Sequence, residues 1–122
     1  MIVSRPATAE DVRRVHPDVS CSFKARAVEL DGQLAGVIGI ALARPVRSIF
    51  CWFSEELRPH LKCLTILRLL KWLEREIASQ RLPVFAIRER GEPRAPHILK
   101  KLGFEFFDLI GGDAVYRYEG NG

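Results

Sequence analysis

Three features of the sequence predict an α/β (α+β) fold with a mixed central β-sheet flanked by helices. Two turn dipeptides, Asp31-Gly32 and Gly111-Gly112, each lie between apolar runs and read as hairpins. One long amphipathic stretch, Leu61 to Gln80, leads into a short apolar strand at Pro83 to Ile87. Hairpins require antiparallel neighbours, whereas a strand-helix-strand unit favours parallel ones, so a single sheet has to carry both.

The elements are read in chain order. Ile2 to Ser4 is a short strand that ends before Pro6. Thr8 can cap a brief helix, with Asp11 three residues on to return the bond; that helix stops near His16-Pro17. Arg26 to Leu30 and Gln33 to Ala43 form the first hairpin. The second of these strands is apolar almost throughout from Leu34 to Leu42, as a strand covered on both faces should be. Gly36 and Gly39 within it permit a bulge or a close backbone approach. Ser48 to Phe53 is a further apolar strand. In the long helix, Leu64, Leu67, Leu70, Leu73 and Ile77 recur at helical spacing and are the expected core stripe. Pro93 opens and Gly103 closes a late helix, Pro93 to Leu102, and Phe104 to Ile110 with Ala114 to Tyr118 form the last hairpin. The predicted order is β-α-β-β-β-α-β-α-β-β in one domain, residues 1–118, with residues 119–122 as a frayed tail.

Composition narrows the possible functions. With 122 residues, 48% of them hydrophobic and 28% charged, the chain can bury one core and is not of disordered type. No apolar run reaches membrane-spanning length and the N-terminus lacks a signal-peptide layout, so a cytoplasmic protein with no membrane partner is expected. The formal net charge of +4 would suit nucleic acid, but the basic residues are dispersed and no nucleic-acid motif is present, so that partner is not expected. Cys21, Cys51 and Cys63 form no C-x-x-C pair and read as buried free thiols. His16, His60 and His97 are scattered, and no metal site is expected.

The segment Ala95-Pro96-His97-Ile98-Leu99-Lys100-Lys101-Leu102-Gly103-Phe104 resembles the A-x-x-L-Y-x-K-x-G-F segment of the GNAT (N-acetyltransferase) superfamily, and the element order resembles a GNAT fold shortened between its first two strands. The resemblance implies acetyl-CoA as cofactor and an amine as acceptor. It implies a pyrophosphate loop of the form Q/R-x-x-G-x-G/A before the long helix, where glycines let backbone N–H groups reach the phosphates. The matching stretch here is Arg58-Pro59-His60-Leu61-Lys62-Cys63, preceded by Phe53 at the end of the cofactor-bearing strand. Arg58 is kept, and Arg58, His60 and Lys62 can form a cationic collar. Leu61 and Cys63 stand in place of the two small residues, and Leu61 is expected to obstruct the phosphates. Opening that position as Leu61→Gly should then strengthen binding. Pro59 removes one N–H.

Further departures concern the chemistry. The family's general-acid tyrosine aligns with Leu99, which has no proton to give, and its asparagine before the late helix aligns with Glu92. Glu55 and Glu56, after the fourth strand, are the candidate catalytic carboxylates for taking up the amine proton. Tyr116 and Tyr118 could offer a phenol but alternate onto one face and read as packing residues. Trp52 reads as core or as the wall of the cleft beside the fourth strand, and Cys63 as an acyl carrier only if activated at the helix start. A narrower resemblance rests on Cys51-Trp52-Phe53 and on His97 to Gly103. It points to the internal virion protein A type of short-tailed bacteriophages, which are reduced GNAT-like proteins. Two functions follow as expectations: an acetyltransferase with weakened or lost activity, or a non-catalytic phage-encoded protein that binds a phage or host protein.

Overall fold

The computed structural model describes residues 1–15, 21–88 and 99–118. Its strands are β1 (Ile2–Pro6), β2 (Phe23–Leu30), β3 (Gln33–Ala41), β4 (Arg47–Phe53), β5 (Val84–Arg88), β6 (Phe104–Ile110) and β7 (Asp113–Tyr118). Helix α1 (Ala9–Val15) follows β1, and α2 (Leu64–Ala78) follows β4 after a 3-10 turn at Arg58–His60. The late helix is described over 99–101, ahead of β6. Expectations for Glu92, His97, the helix opening at Pro93, the stop near His16-Pro17 and the tail 119–122 lie outside the described residues.

All seven strands join one sheet in the order β1-β2-β3-β4-β5-β7-β6. Only β4 and β5 run parallel, which is the mixed sheet the hairpins and the strand-helix-strand unit required. Both turns take positive φ at each central residue, Asp31 (51°) and Gly32 (84°), then Gly111 (60°) and Gly112 (85°). That is the turn whose twist matches a two-residue hairpin. The predicted capping pair is formed. Asp11 donates its N–H to Thr8 Oγ1 at 3.2 Å, and Thr8 donates its own to Asp11 Oδ2 at 2.8 Å.

The sheet buries its two faces differently. On one, Ile66, Leu69, Leu73 and Ile77 of α2 pack on Val28, Ile38, Ile40, Val84 and Ala86, closed at the far end by Leu99, Leu102 and Phe104. On the other, Val12 of α1 packs on Val37, Ala41 and Phe50. The bulge anticipated in β3 falls at Ala35. Val28 pairs with Gly36 and Glu29 with Leu34, so Ala35 has no partner of its own across the ladder.

The core stripe of α2 corrects the sequence reading. The helix begins at Leu64 rather than Leu61, and Leu64 and Leu67 are exposed. Successive steps of three residues each fall about 60° short of a turn, so Leu67 is rotated about 120° and Leu64 about 180° from Leu73. The stripe that keeps one heading is Ile66, Leu69, Leu73 and Ile77, spaced by three and four.

Candidate functional site

The site is built where two parallel strands part. Among the described residues β4 pairs with β5 through Arg47↔Val84, Ser48↔Phe85 and Ile49↔Ala86. It stays paired with β3 as far as Gly36↔Phe53, so among the described residues its end runs on past β5 and leaves an opening between the two strands. Arg47 donates its N–H to Pro83 O on the β5 side at 2.7 Å, whereas Ser54 donates to Ala35 O on the β3 side at 2.8 Å. Strand alternation therefore turns the backbone N–H and C=O of Phe53 toward the opening. Cys51 lies past the last β4–β5 pair and its side chain is exposed, contrary to the expectation of a buried thiol; Cys21 and Cys63 are half-buried.

Beyond Phe53 the chain folds back on itself. Ser54 O accepts from the N–H groups of Leu57 and Arg58, and Ser54 Oγ also accepts from Leu57 at 3.2 Å. His60 donates to Leu57 O at 2.8 Å, Leu61 to Arg58 O at 3.4 Å, and Cys63 to His60 O at 3.0 Å. Leu57, fully buried in the core, anchors these turns. Most backbone donors of the segment are thus engaged within the loop. The first turn of α2 offers more: its first i→i−4 bond is Leu67 N–H to Cys63 O, which leaves Leu64, Thr65 and Ile66 to point their N–H groups into the loop. Cys63, the N-cap, gives no side-chain hydrogen bond.

The side chains sort by exposure. Glu55, Glu56, Arg58, His60 and Lys62 are all exposed on this segment, so the candidate carboxylates and the candidate collar lie within one short stretch. Phe53 is half-buried. Leu61 and Cys63 are also half-buried and pack on the core. The branched side chain of Leu61 therefore packs in part against the interior rather than standing wholly in the loop. At the β2–β3 turn, the amino group of Met1 holds the Asp31 carboxyl below its usual range, with a smaller contribution from the His60 charge.

Leu99 is buried among the residues under α2 and carries no proton, as its sequence position implied. Tyr116 and Tyr118 are half-buried and pack against the same core, edge-on to Phe106 and tilted against Phe104 respectively. Trp52 is exposed on the opposite face. With Arg14, Val15 and Leu34 it lines a cavity of about 230 Å³. Sequence reading passed over Leu57, whereas Gly36 was expected to permit a bulge or a close approach, and a close approach is what it makes. A Cβ on Gly36 would sit 3.0 Å from Phe53 Cδ1 and 3.1 Å from Leu57 Cδ2, so this glycine makes room for both side chains. Gly36→Ala should push them outward by a few tenths of an ångström and cost about 1–2 kcal/mol, readable in a urea unfolding curve. The signal available in the sequence was a small residue within an otherwise apolar central strand.

This chain is similar in structure to solved acetyltransferases of the GNAT family. One is an IAA acetyltransferase from Bacillus cereus, 12% identical, with TM-score 0.63 over 97% of this chain and 99% of that one. Another is a GNAT acetyltransferase from Elizabethkingia anophelis solved with acetyl-CoA bound, 11% identical, with TM-score 0.65 over 98% of each chain. A third is the ribosomal-protein-S18-alanine N-acetyltransferase from Escherichia coli, 9% identical, with TM-score 0.63 over 97% of this chain and 93% of that one. The fold is that of the GNAT acetyltransferases, with its seven-stranded mixed sheet. No family model and no curated protein sequence matches the chain. Among the described residues no helix is long and apolar enough to cross a membrane, and no group of His, Cys, Asp and Glu could hold a metal ion.

Proposed function

We propose that this chain binds acetyl-CoA at the opening between β4 and β5 and transfers the acetyl group to an amine with impaired turnover. The observation that carries the reading is the parting of β4 from β5 after Ile49↔Ala86, immediately before a cationic segment and a helix N-terminus. One of the solved structures of this fold was determined with acetyl-CoA bound.

The residues present fit such a ligand in reduced form. The backbone of Phe53 faces the opening and can orient an extended chain by strand-like hydrogen bonds. Arg58, His60 and Lys62 supply positive charge for phosphates, and the first turn of α2 adds N–H groups with the favourable end of its dipole. Bound acetyl-CoA would supply a thioester carbonyl open to attack by an amine, the new C–N bond replacing the C–S bond and CoA leaving as a thiolate that takes its proton from solvent. Glu55 or Glu56 would take up the amine proton on a carboxylate oxygen. Two features weaken turnover: both carboxylates lie in solvent without apolar enclosure, and the Leu99 position donates no proton. The alternative is a non-catalytic protein on the same fold that binds another protein. It draws on the engaged loop amides and on Leu99, and its phage attribution rests on the two short sequence motifs alone.

A thermal melt separates these readings. A ligand specific to the native state raises the midpoint, and at ten times its Kd the gain is about 1.4 kcal/mol, or roughly 3–8 °C for a chain of this size. Lys62→Glu, which reverses one exposed charge of the collar, should weaken binding about tenfold and remove most of that rise. No rise with millimolar acetyl-CoA would refute the cofactor reading. A rise without acetylation of any amine in a mixed panel would refute turnover and favour the non-catalytic alternative.

A further inference from the structure

We propose that β6 is a dimerisation edge, at which two copies of this chain join by antiparallel pairing of their β6 strands. Among the described residues no strand lies beyond β6 in the sheet. Its large side chains emerge on both faces. Phe106 meets Tyr116 at 6.0 Å between ring centroids, on the α2 face, where Tyr116 packs against the core. Phe107 meets Phe85 at 5.3 Å; Phe85 alternates with core residues Val84 and Ala86 and so points to the opposite face. Past the bulge at Phe107, Leu109 pairs with Ala114 and shares the α2 face, while Ile110 pairs with Asp113 and shares the other.

All four side chains are half exposed or more: Phe106 58%, Phe107 50%, Leu109 64% and Ile110 58%. A helix or loop laid on the sheet would cover one face and leave the other wet. A strand added at the edge covers both, because its own side chains alternate in step. The gatekeepers that usually guard an edge, lysine and proline, are absent from β6. The opposite edge, β1, carries Arg5 and Pro6. The bulge, itself a common edge guard, here presents a phenylalanine rather than a charge.

Area and charge favour a second copy as the occupant. The four side chains leave roughly 400 Å² of apolar surface uncovered, taking about 200 Å² for a large side chain. At the usual apolar share of an interface this scales to roughly 700 Å² per copy, inside the range of about 600–1,000 Å² for a standard interface. A two-fold axis makes the pairing antiparallel and self-complementary. Centred between Phe107 and Asp108, it sets Phe106 across from Leu109 and Glu105 across from Ile110, each pair on one face, and no carboxylate faces another.

The test is the mass of the chain in solution over a dilution series, with hydrogen exchange of the β6 amides on the unmodified chain. The expected result is twice the chain mass at high concentration, with β6 amides gaining protection as dimer forms. Phe107→Lys and Leu109→Lys, one from each face, should each weaken the dimer at least tenfold. Val3→Lys, exposed on the far edge of the sheet, should leave it intact. A single-chain mass at every concentration overturns the proposal and leaves the edge to a different partner. A dimer that survives both β6 substitutions, that Val3→Lys disrupts, or that forms without protecting β6 also overturns it. The exchange measurement does not depend on any variant folding, and the proposal is independent of acetyl transfer.

Discussion

Gly39→Val is expected to prevent the central sheet from forming. Gly39 pairs with Ala25 on one side and Phe50 on the other, in the middle of β3. A Cβ at this position would stand 2.5 Å from Lys24 O, 2.6 Å from Ala25 Cβ and 2.8 Å from Ala25 Cα. Carbon contacts are comfortable only near about 3.5–4.0 Å, and here the opposing atoms belong mainly to the β2 backbone, which cannot swing aside as a side chain can. Relief would require β2 and β3 to separate and lose the bonds between them. The cost should exceed about 4 kcal/mol, against a total stability of about 5–15 kcal/mol for a native domain. Because the clash comes from the first carbon, Gly39→Ala should be nearly as damaging as Gly39→Val. Gly32→Ala serves as the comparison. Nothing lies within 4 Å of a Cβ there, and only its φ of +84° resists substitution, at about 1–2 kcal/mol. Chemical denaturation followed by circular dichroism reads all three; a Gly39→Ala protein of near wild-type stability would contradict the packing described for β2 and β3.

Loss of Asp11 should have the next largest effect. Its carboxylate ties β1 to the start of α1. It pairs with Arg5 of β1, with Nη1 at 2.7 Å from Oδ2 and Nη2 at 3.2 Å from Oδ1, and it accepts the Thr8 N–H that opens α1. Arg5 in turn pairs with Glu29 of β2. Asp11→Ala removes a capping acceptor, worth about 1 kcal/mol, and leaves a partly buried guanidinium with one partner fewer. The expected loss is about 2–3 kcal/mol, smaller than for a fully buried pair because Arg5 is one-third exposed and retains Glu29. Asp11→Asn, which keeps an acceptor for Thr8 but not the charge, should lose about half as much.

The same group predicts a pH dependence. The hydrogen bond from Arg5 holds the Asp11 carboxyl well below the usual carboxylate range; burial opposes this and the Thr8 N–H reinforces it. A carboxyl whose pKa is depressed on folding contributes stability above its unfolded value, near pH 4, and that contribution is lost as the pH falls toward the folded value. Melts from neutral pH downward should therefore show wild type and Asp11→Asn converging below about pH 4. A gap that stays constant with pH would mean that the ion pair contributes nothing through its charge.

Much of the scaffold was legible because it is written in local chemistry. Asp31-Gly32, Gly111-Gly112 and the Thr8–Asp11 cap each place their determinants within four residues, and all are found where expected. The long helix was legible as a helix but not in its orientation. Five residues at plausible spacing suggested a stripe, and only the heading of Ile66 and Leu69 toward the sheet shows which stripe is buried. Pairing at the site was less legible still. Nothing in the letters from Ser48 to Phe53 says that β5 leaves β4 after Ile49, because that depends on where a strand more than thirty residues later is seated.

The sequence by itself determined the order of elements, the turns, and the chemistry available after the fourth strand: two cationic side chains and a histidine, two carboxylates, and leucine at the position that the resemblance gives to a proton donor. Those are matters of residue type and short-range spacing, which the chain carries wherever it folds. The tertiary structure decided which backbone atoms are engaged. It packed half-buried Leu61 against the core and closed loop amides on Ser54, Leu57, Arg58 and His60. It also left both faces of β6 uncovered. Burial and hydrogen bonding are properties of neighbours brought together across the chain, and no single stretch of sequence contains both partners.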